Sequence, residues 1–401
     1  MLYILDTALV RRVGHPYHFN QGLIAWLERY RIAHRVVCVA GAEPGLVSEL
    51  GAIPLFRHPP GTVLSDDPRV GQLENYIALN RDLYLDLLGF ETDHDLAGAA
   101  LLFPNVNPFS LLGIADWLHE ASLPAGTDVT LVFQAWSGLV GSPPTDTWRS
   151  SLFRHGFLRL RQCTSPRLRL WALDQAAAEE YAALSSCPIE VPPYPTAVDR
   201  PGLSPVTPSA SPHPTFAFLG DGGWRKGYHL LPEIIRRSSA HRADLRFMVQ
   251  ALDAVPAADG FEAVTADLAS LPNVTLIPGF LSDERYMQTI GEADAILLPY
   301  QSLEMYGAGT SAVFEETLFL GRAAIVPPDT TMARHLRREP DSGVIAETAE
   351  APAFAEAVLA LASDLPRFRA GAVAAAGRRR SATGLERFVR SMCRHEGPAP
   401  A

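Results

Sequence analysis

Two α/β domains, each a doubly wound parallel sheet, are what this sequence predicts, and three observations predict them. Short apolar runs of strand length alternate with helical segments along the chain. A stretch rich in Pro and Ser, PPYPTAVDRPGLSPVTPSASPHP from Pro192 to Pro214, lacks any apolar period and breaks that alternation once. At 401 residues the chain is also too long for one ordinary open-sheet domain and suits two. The predicted division is 1–191 for the first domain, 192–214 for the linker, 215–380 for the second domain and 381–401 for a terminal helix.

In the first domain the strands read at Leu2 to Leu5, Arg35 to Val39, Ile53 to Phe56, Ala100 to Phe103, Val129 to Phe133 and Leu168 to Leu173. In the second they read at Thr215 to Leu219, Arg246 to Gln250, Val274 to Ile277, Ala295 to Leu298, Ala323 to Val326 and Val344 to Ala346. Strands separated by helices pair in parallel through right-handed crossovers. Two such domains joined by a linker enclose a cleft, a common place for a ligand. Pro366 starts one helix of the tail, and Ala382 to Cys393 makes another through Leu385, Phe388, Val389 and Met392. The residues from His395 on read as a frayed end.

Composition narrows the function. An apolar content of 47% supplies two cores. The formal charge of -10 argues against a nucleic-acid partner, because phosphate attraction needs net basic surface. Cys38, Cys163, Cys187 and Cys393 are widely spaced and read as reduced thiols. No apolar run reaches the roughly 20 residues that span a bilayer, and Met1 to Leu5 reads as the first strand of a cytoplasmic fold.

The most informative stretch is ADAILLPYQSLEMYGAGTSAVFEETLFLGRAAIVP, residues 293–327. It reads as a strand ending at Pro299, a polar loop, a helix and a second strand. Thr310 or Ser311 caps the helix, whose apolar side includes Ala312, Val313, Phe314, Leu318 and Phe319 and which stops at Gly321. In an open parallel sheet ligands bind outside the carboxyl ends of the strands, where Gln301 to Gly309 should lie. The start of the helix adds free N–H groups and partial positive charge suited to phosphate.

A second candidate lies upstream. The Thr215 to Leu219 strand is followed by Gly220, Asp221, Gly222, Gly223, Trp224, Arg225, Lys226 and Gly227, then by a helix from about Tyr228 to Arg237. Glycines let backbone approach a ligand closely, and the two cations can neutralise a diphosphate. The bland alternative is a solvated basic turn.

Together these features resemble the donor site of GT-B glycosyltransferases, especially glycosyltransferase family 4 and its relatives. The resemblance implies a GT-B fold, two Rossmann-like doubly wound domains facing each other across a cleft. It implies that a carboxylate at Glu316 holds the ribose of a sugar nucleotide, that the helix start faces its diphosphate, and that Arg225 and Lys226 bind the phosphates. The implied donor-binding set is Gly14, Gly220, Gly222, Gly223, Arg225, Lys226, Gly279, Tyr306, Gly309, Thr310, Ser311 and Glu316. Two departures are visible: Asp221 stands where many relatives have arginine, and Ala308 stands where family 4 has a first glutamate, with Glu304 and Tyr306 nearby. The final helix of GT-B proteins crosses back onto the first domain, and the same is expected here against the alternative of an Arg-rich surface helix.

The first domain should hold the acceptor. Its first loop, RRVGHPYHFNQGL, leads into a helix near Tyr17 and offers His15, Tyr17, His18 and Asn20 beside Gly14, which resembles the loop glycine that lies against donor or acceptor. His15 and His18 are candidate catalytic groups, a base or hydrogen-bond donors to sugar hydroxyls, or else ordinary residues of a helix start. The PNVNPF loop offers Asn105 and Asn107, where many family 4 members have histidine; an amide can orient a hydroxyl but takes no proton. Asn107 joins the catalytic candidates, and for both asparagines a turn before Pro108 is the alternative.

Residues 148–171 carry six arginines and no acid. They form either a basic amphipathic helix for an anionic membrane surface at the inner face, or a helix packed on the sheet with arginines outward. The packed helix is favoured. Breaking a sugar–diphosphate bond puts charge on the leaving phosphate, and Arg225, Lys226 and the N–H groups around Gly309 to Ser311 suffice to stabilise it, so neither a metal nor another cofactor is expected. The expected activity is metal-independent transfer of a sugar from a nucleotide-diphospho-sugar to a glycan, lipid-linked or other acceptor, with retention favoured by the resemblance. The alternatives are a non-catalytic GT-B protein that binds a sugar nucleotide or a partner protein, a sugar-nucleotide epimerase, or a phosphorylase.

Overall fold

The computed structural model describes residues 1–12, 14–65, 71–121, 123–124, 127–134, 137–140, 145–163, 167–192, 212–253, 260–301, 306–307, 309, 311–382 and 384–393. Most of the expected linker and the tail from residue 394 lie outside the described residues. The chain divides into two compact units, Met1–Pro201 with Thr383–Ala401, and Gly202–Ala382.

The first unit is built on β1 (Leu2–Leu5), β2 (His34–Val39), β3 (Ile53–Phe56), β4 (Ala100–Val106) and β5 (Asp128–Phe133). A short antiparallel pair, β6 (Leu139–Val140) and β7 (Thr145–Asp146), precedes β8 (Arg167–Ala172). The main sheet runs β3-β2-β1-β4-β5-β8, and all its pairings are parallel. Side chains alternate strictly across it. Tyr3, Leu5, Val37 and Val39 enter one core, while Leu2, Ile4, Val36 and Cys38 enter the other, as a sheet covered on both faces requires.

The helix Trp148–Leu160 closes the first of these cores. Phe153 and Phe157 are buried and meet Phe133 at ring-centroid distances of 6.3 and 5.2 Å. Its arginines lie outside that contact, and Arg159 pairs with Asp116 at 2.6 Å. On strand β8, Arg167 and Arg169 pair with Asp128 at 3.3 and 3.6 Å. The packed form of this segment is thus the one present, although Trp148 remains half exposed. Among the described residues, no helix is long and apolar enough to cross a membrane.

The opposite core takes in the helix Gly14–Arg29 and, from the far end of the chain, the helix Leu385–Cys393. Leu385, Phe388, Val389 and Met392 recur at helical spacing and are all buried there. Phe388 meets Phe19 and Trp171 at 5.8 and 5.2 Å. Tyr30 donates to Glu386 at 2.5 Å and accepts from Arg390 at 2.9 Å, which fixes the helix at its edge.

The second unit repeats the plan with β9 (Thr215–Phe218), β10 (Arg246–Ala251), β11 (Val274–Pro278), β12 (Ala295–Leu297), β13 (Ala323–Val326) and β14 (Gly343–Ile345), in the parallel order β11-β10-β9-β12-β13-β14. Phe216, Phe218, Phe247, Val249, Leu297 and Ile325 form its main core with the helices Leu231–His241 and Ala351–Ser363. In both sheets the strand order reverses once, between β1 and β4 and between β9 and β12. At such a switch point the loops leaving the two central strands diverge and open a crevice.

Three helix starts differ from expectation, the terminal one lying at Leu385 rather than Ala382. The first helix begins at Gly14, three residues before Tyr17, so His15 and His18 ride on the helix. The helix expected from Tyr228 begins at Leu231, after two 3₁₀ turns at Trp224–Lys226 and Tyr228–Leu230, because Pro232 fits only a first helical turn. Removing the Phe388 ring should leave a cavity between Phe19 and Trp171. Phe388→Ala should lower the stability of the first unit by about 3–5 kcal/mol, read as a lower urea midpoint.

Candidate functional site

At the switch point of the second sheet, strand β9 passes into Gly220, whose φ of 118° only glycine adopts without strain. Gln250, at the end of β10, holds this turn from beneath. Its carbonyl oxygen accepts from the Gly220 N–H at 2.9 Å, and its amide donates to the Gly279 carbonyl at 2.9 Å, so one side chain ties the loops after β9 and β11 together.

Asp221 accepts from the Gly223 N–H at 3.1 Å, closing a tight turn into Trp224–Lys226. Gly227 ends that turn at φ 75°, and a Cβ there would lie 1.9 Å from the Pro299 carbonyl oxygen. The Gln301 N–H donates to the Arg225 carbonyl at 2.8 Å. The loops after β9 and β12 are therefore fastened edge to edge. Lys226 Nζ lies over Gly220, where a Cβ would come within 2.6 Å of it. The ammonium pairs with Asp221 at 3.4 Å, and Arg225 pairs with the same carboxylate at 3.8 Å.

From β12, Pro299 and Tyr300 lead toward the second element of the site. The Tyr300 hydroxyl lies 3.1 Å from Ser311 Oγ, and Ser311 caps the helix Ala312–Phe319 by accepting from the Phe314 N–H at 3.3 Å. Of the two expected caps this is the one present; Thr310 lies outside the described residues, as do Glu304 and Ala308. The Tyr306 ring lies tilted against Tyr300, 4.3 Å between ring centroids. Behind the loop, Thr331 donates to the Gly309 carbonyl at 2.7 Å and Arg334 donates to the Gly307 carbonyl.

Glu316 sits one turn into this helix, 9% exposed. Tyr286, from the helix Asp283–Glu292, donates its hydroxyl to Glu316 Oε2. Burial and the Glu316 charge hold the Tyr286 phenol well above its ordinary range, so it stays a donor. Glu315 pairs instead with Arg379 of the helix Leu365–Ala382.

The charges of both elements meet at the two tyrosines. Burial raises the Tyr300 phenol first, Asp221 and Glu316 raise it further, and Arg225 opposes them. Burial and Tyr300 push Tyr306 up to about 12 against Lys226 and Arg225. Arg225, Lys226, Ser311 and Glu316 thus share one end of one sheet. At Gly222 the missing Cβ makes room for the Phe261 ring, which would lie 2.2 Å away. Gly223 serves the Asp221 turn, and Gly279, at φ 72°, has open space where a Cβ would stand.

In the first unit the corresponding switch point is organised by Asp6, fully buried at the end of β1. Asn20 and Asn105 donate to its two oxygens at 2.7 and 2.9 Å, and the Ala8 N–H at 2.9 Å. Burial raises the Asp6 carboxyl above its usual range while these bonds oppose the rise. Asn105 therefore spends its amide on Asp6. Asn107 caps the helix Pro108–Glu120, accepting from the Phe109 N–H at 2.8 Å, and lines a small recess with Thr7, His58 and Ser110.

Gly14 opens the first helix at φ 81°. Burial lowers the His15 imidazole to about 4, so it is neutral at pH 7, and its Nδ1 is buried without a hydrogen-bond partner among the described residues. His18 packs its ring on Tyr17 at 5.2 Å. No group of three or more His, Cys, Asp or Glu side chains that could hold a metal ion occurs among the described residues.

Sequence reasoning missed Gln250, Tyr286, Thr331 and Arg334. Only Gln250 carried a signal, a polar residue closing an apolar strand.

No protein-family model matches the chain, and no curated protein does. Solved structures do. HepE of Anabaena, in complex with UDP, superposes with a TM-score of 0.66 at 13% identity, covering 98% of each chain. WaaG, a glycosyltransferase involved in lipopolysaccharide biosynthesis, gives 0.61 at 14% identity over 99% of this chain and 100% of its own. A putative UDP-N-acetylglucosamine 2-epimerase from Listeria monocytogenes gives 0.57 at 12% identity over 99% and 98%. Taken with two parallel six-stranded sheets that each reverse order once, these likenesses establish that the chain has the GT-B fold, built of two Rossmann-like domains.

Proposed function

We propose that this protein is a glycosyltransferase that takes a sugar from a nucleotide-diphospho-sugar bound at the switch point of its second sheet. The observation that carries this reading is the convergence there of Arg225, Lys226, the capped helix start at Ser311 and the Glu316 carboxylate. Solved neighbours point the same way, since HepE is described in complexes with UDP and with UDP-glucose.

The Arg225 and Lys226 cations and the N–H groups of the first turn after Ser311 stabilise the negative charge that grows on the leaving diphosphate. That stabilisation is stronger in the transition state than in the ground state, which is the condition for catalysis. Glu316 accepts from the ribose hydroxyls, with Tyr286 occupying its other side. His15, neutral and weakly basic, is suited to hydrogen-bond a sugar hydroxyl rather than to store a proton. In this reading the reaction needs no divalent metal, and the acceptor is a glycan, a lipid-linked sugar or another hydroxyl compound bound by the first unit. An epimerase reading is favoured by the Listeria neighbour alone, and product analysis with donor and no acceptor separates the two.

A thermal-shift screen against nucleoside diphosphates should find one that raises the melting temperature, because only the folded state binds it. A flat screen defeats the donor assignment. Lys226→Ala should reduce kcat/KM by roughly 10²–10³-fold, the range for losing a donor to developing charge, and EDTA should leave the rate unchanged. Glu316→Gln should weaken donor binding by about tenfold to a hundredfold, as loss of a charge-assisted hydrogen bond does. Tyr286→Phe should narrow the preference for a ribonucleotide over its 2′,3′-dideoxy analogue, measured calorimetrically. Equal weakening of both analogues would assign Tyr286 to folding alone.

A further inference from the structure

Asp221 has no place in the scheme above. Its side chain is 15% exposed, and it is turned inward on the two cations rather than outward to solvent. One oxygen serves the turn through the Gly223 N–H, while the other is 3.4 Å from Lys226 Nζ and 3.8 Å from an Arg225 nitrogen. A diphosphate that used both cations would have to stand where this second oxygen now stands, or beside it. Two cations and one carboxylate leave the cradle with a single net positive charge, and a phosphate brought next to a carboxylate is repelled.

We propose that Asp221 is a resident counter-anion of the diphosphate site. It holds Lys226 and Arg225 in place while the site is empty, gives way when the donor diphosphate arrives, and weakens the grip on the nucleoside diphosphate left after transfer. The proposal rests on the donor reading of this site and adds to it a carboxylate that sets how tightly the product is held. Arg225 is half exposed and lies farther from the carboxylate, whereas Lys226 is only 17% exposed, closer to it and seated over Gly220. The exchange therefore takes place mainly at the ammonium.

The test is calorimetric binding of UDP, GDP and ADP, each beside its uncharged nucleoside, to the full chain and to Asp221→Asn, Lys226→Ala and the double variant. Asparagine keeps an oxygen for the Gly223 N–H, so the turn survives while the charge goes. Asp221→Asn should tighten the diphosphate that binds by about three- to tenfold, tenfold being about 1.4 kcal/mol. It should leave the nucleoside unchanged, and most of the gain should vanish in the double variant. Weaker or unchanged diphosphate binding by Asp221→Asn, with Lys226→Ala still harmful, overturns the counter-anion and leaves the donor site standing. Binding by the unaltered protein that requires Mg²⁺ and is lost in Asp221→Asn makes Asp221 a metal carrier and also overturns it. If the unaltered protein binds none of the three diphosphates, the donor reading falls and the counter-anion with it.

Discussion

The candidate site depends on one close approach, the passage of Gly227 over the Pro299 carbonyl. A side chain at position 227 would collide with that oxygen, and the left-handed backbone there would resist any replacement. Because the contact is possible, the Gln301 N–H reaches the Arg225 carbonyl and the loops after β9 and β12 become one surface. Everything chemical is hung on that surface: the cations on one loop, the tyrosines and the Ser311 cap on the other. Without it, the diverging loops of a switch point would present these groups separately.

Much of this was legible in the chain, for physical reasons. Parallel sheets covered on both faces read as apolar runs, which is why every main-sheet strand except β4 falls within a residue of its expected place. The longest extension is β4, which continues through Pro104 to Val106. Ser311 and Gly321 mark the ends of their helix because cap chemistry is local. What escaped depends on distance in sequence. Gln250 acts on Gly220 and Gly279, each about thirty residues away, and Tyr286 acts on Glu316 across thirty more. A single polar residue carries no sign of which distant backbone it will meet.

The first unit was harder for a related reason. His15, Asn105 and Asn107 read either as substrate contacts or as residues of a helix start or turn, and both asparagines have structural partners. Asn105 helps hold a buried Asp6 that offered no pattern of its own, and Asn107 closes a helix. Buried polar groups must be satisfied, and the cost of leaving them unpaired draws nearby amides into structural bonds that sequence alone does not reveal.

The return of the last helix to the first unit carries a consequence for synthesis. The pocket formed by Phe19, Trp26 and Trp171 is made early, but the residues that fill it, Leu385 to Met392, are made only after the second unit. During translation of the entire Gly202–Ala382 unit, that greasy surface stays bare and open to unwanted partners. The nascent chain thus has a stretch of nearly two hundred residues over which a chaperone is most useful.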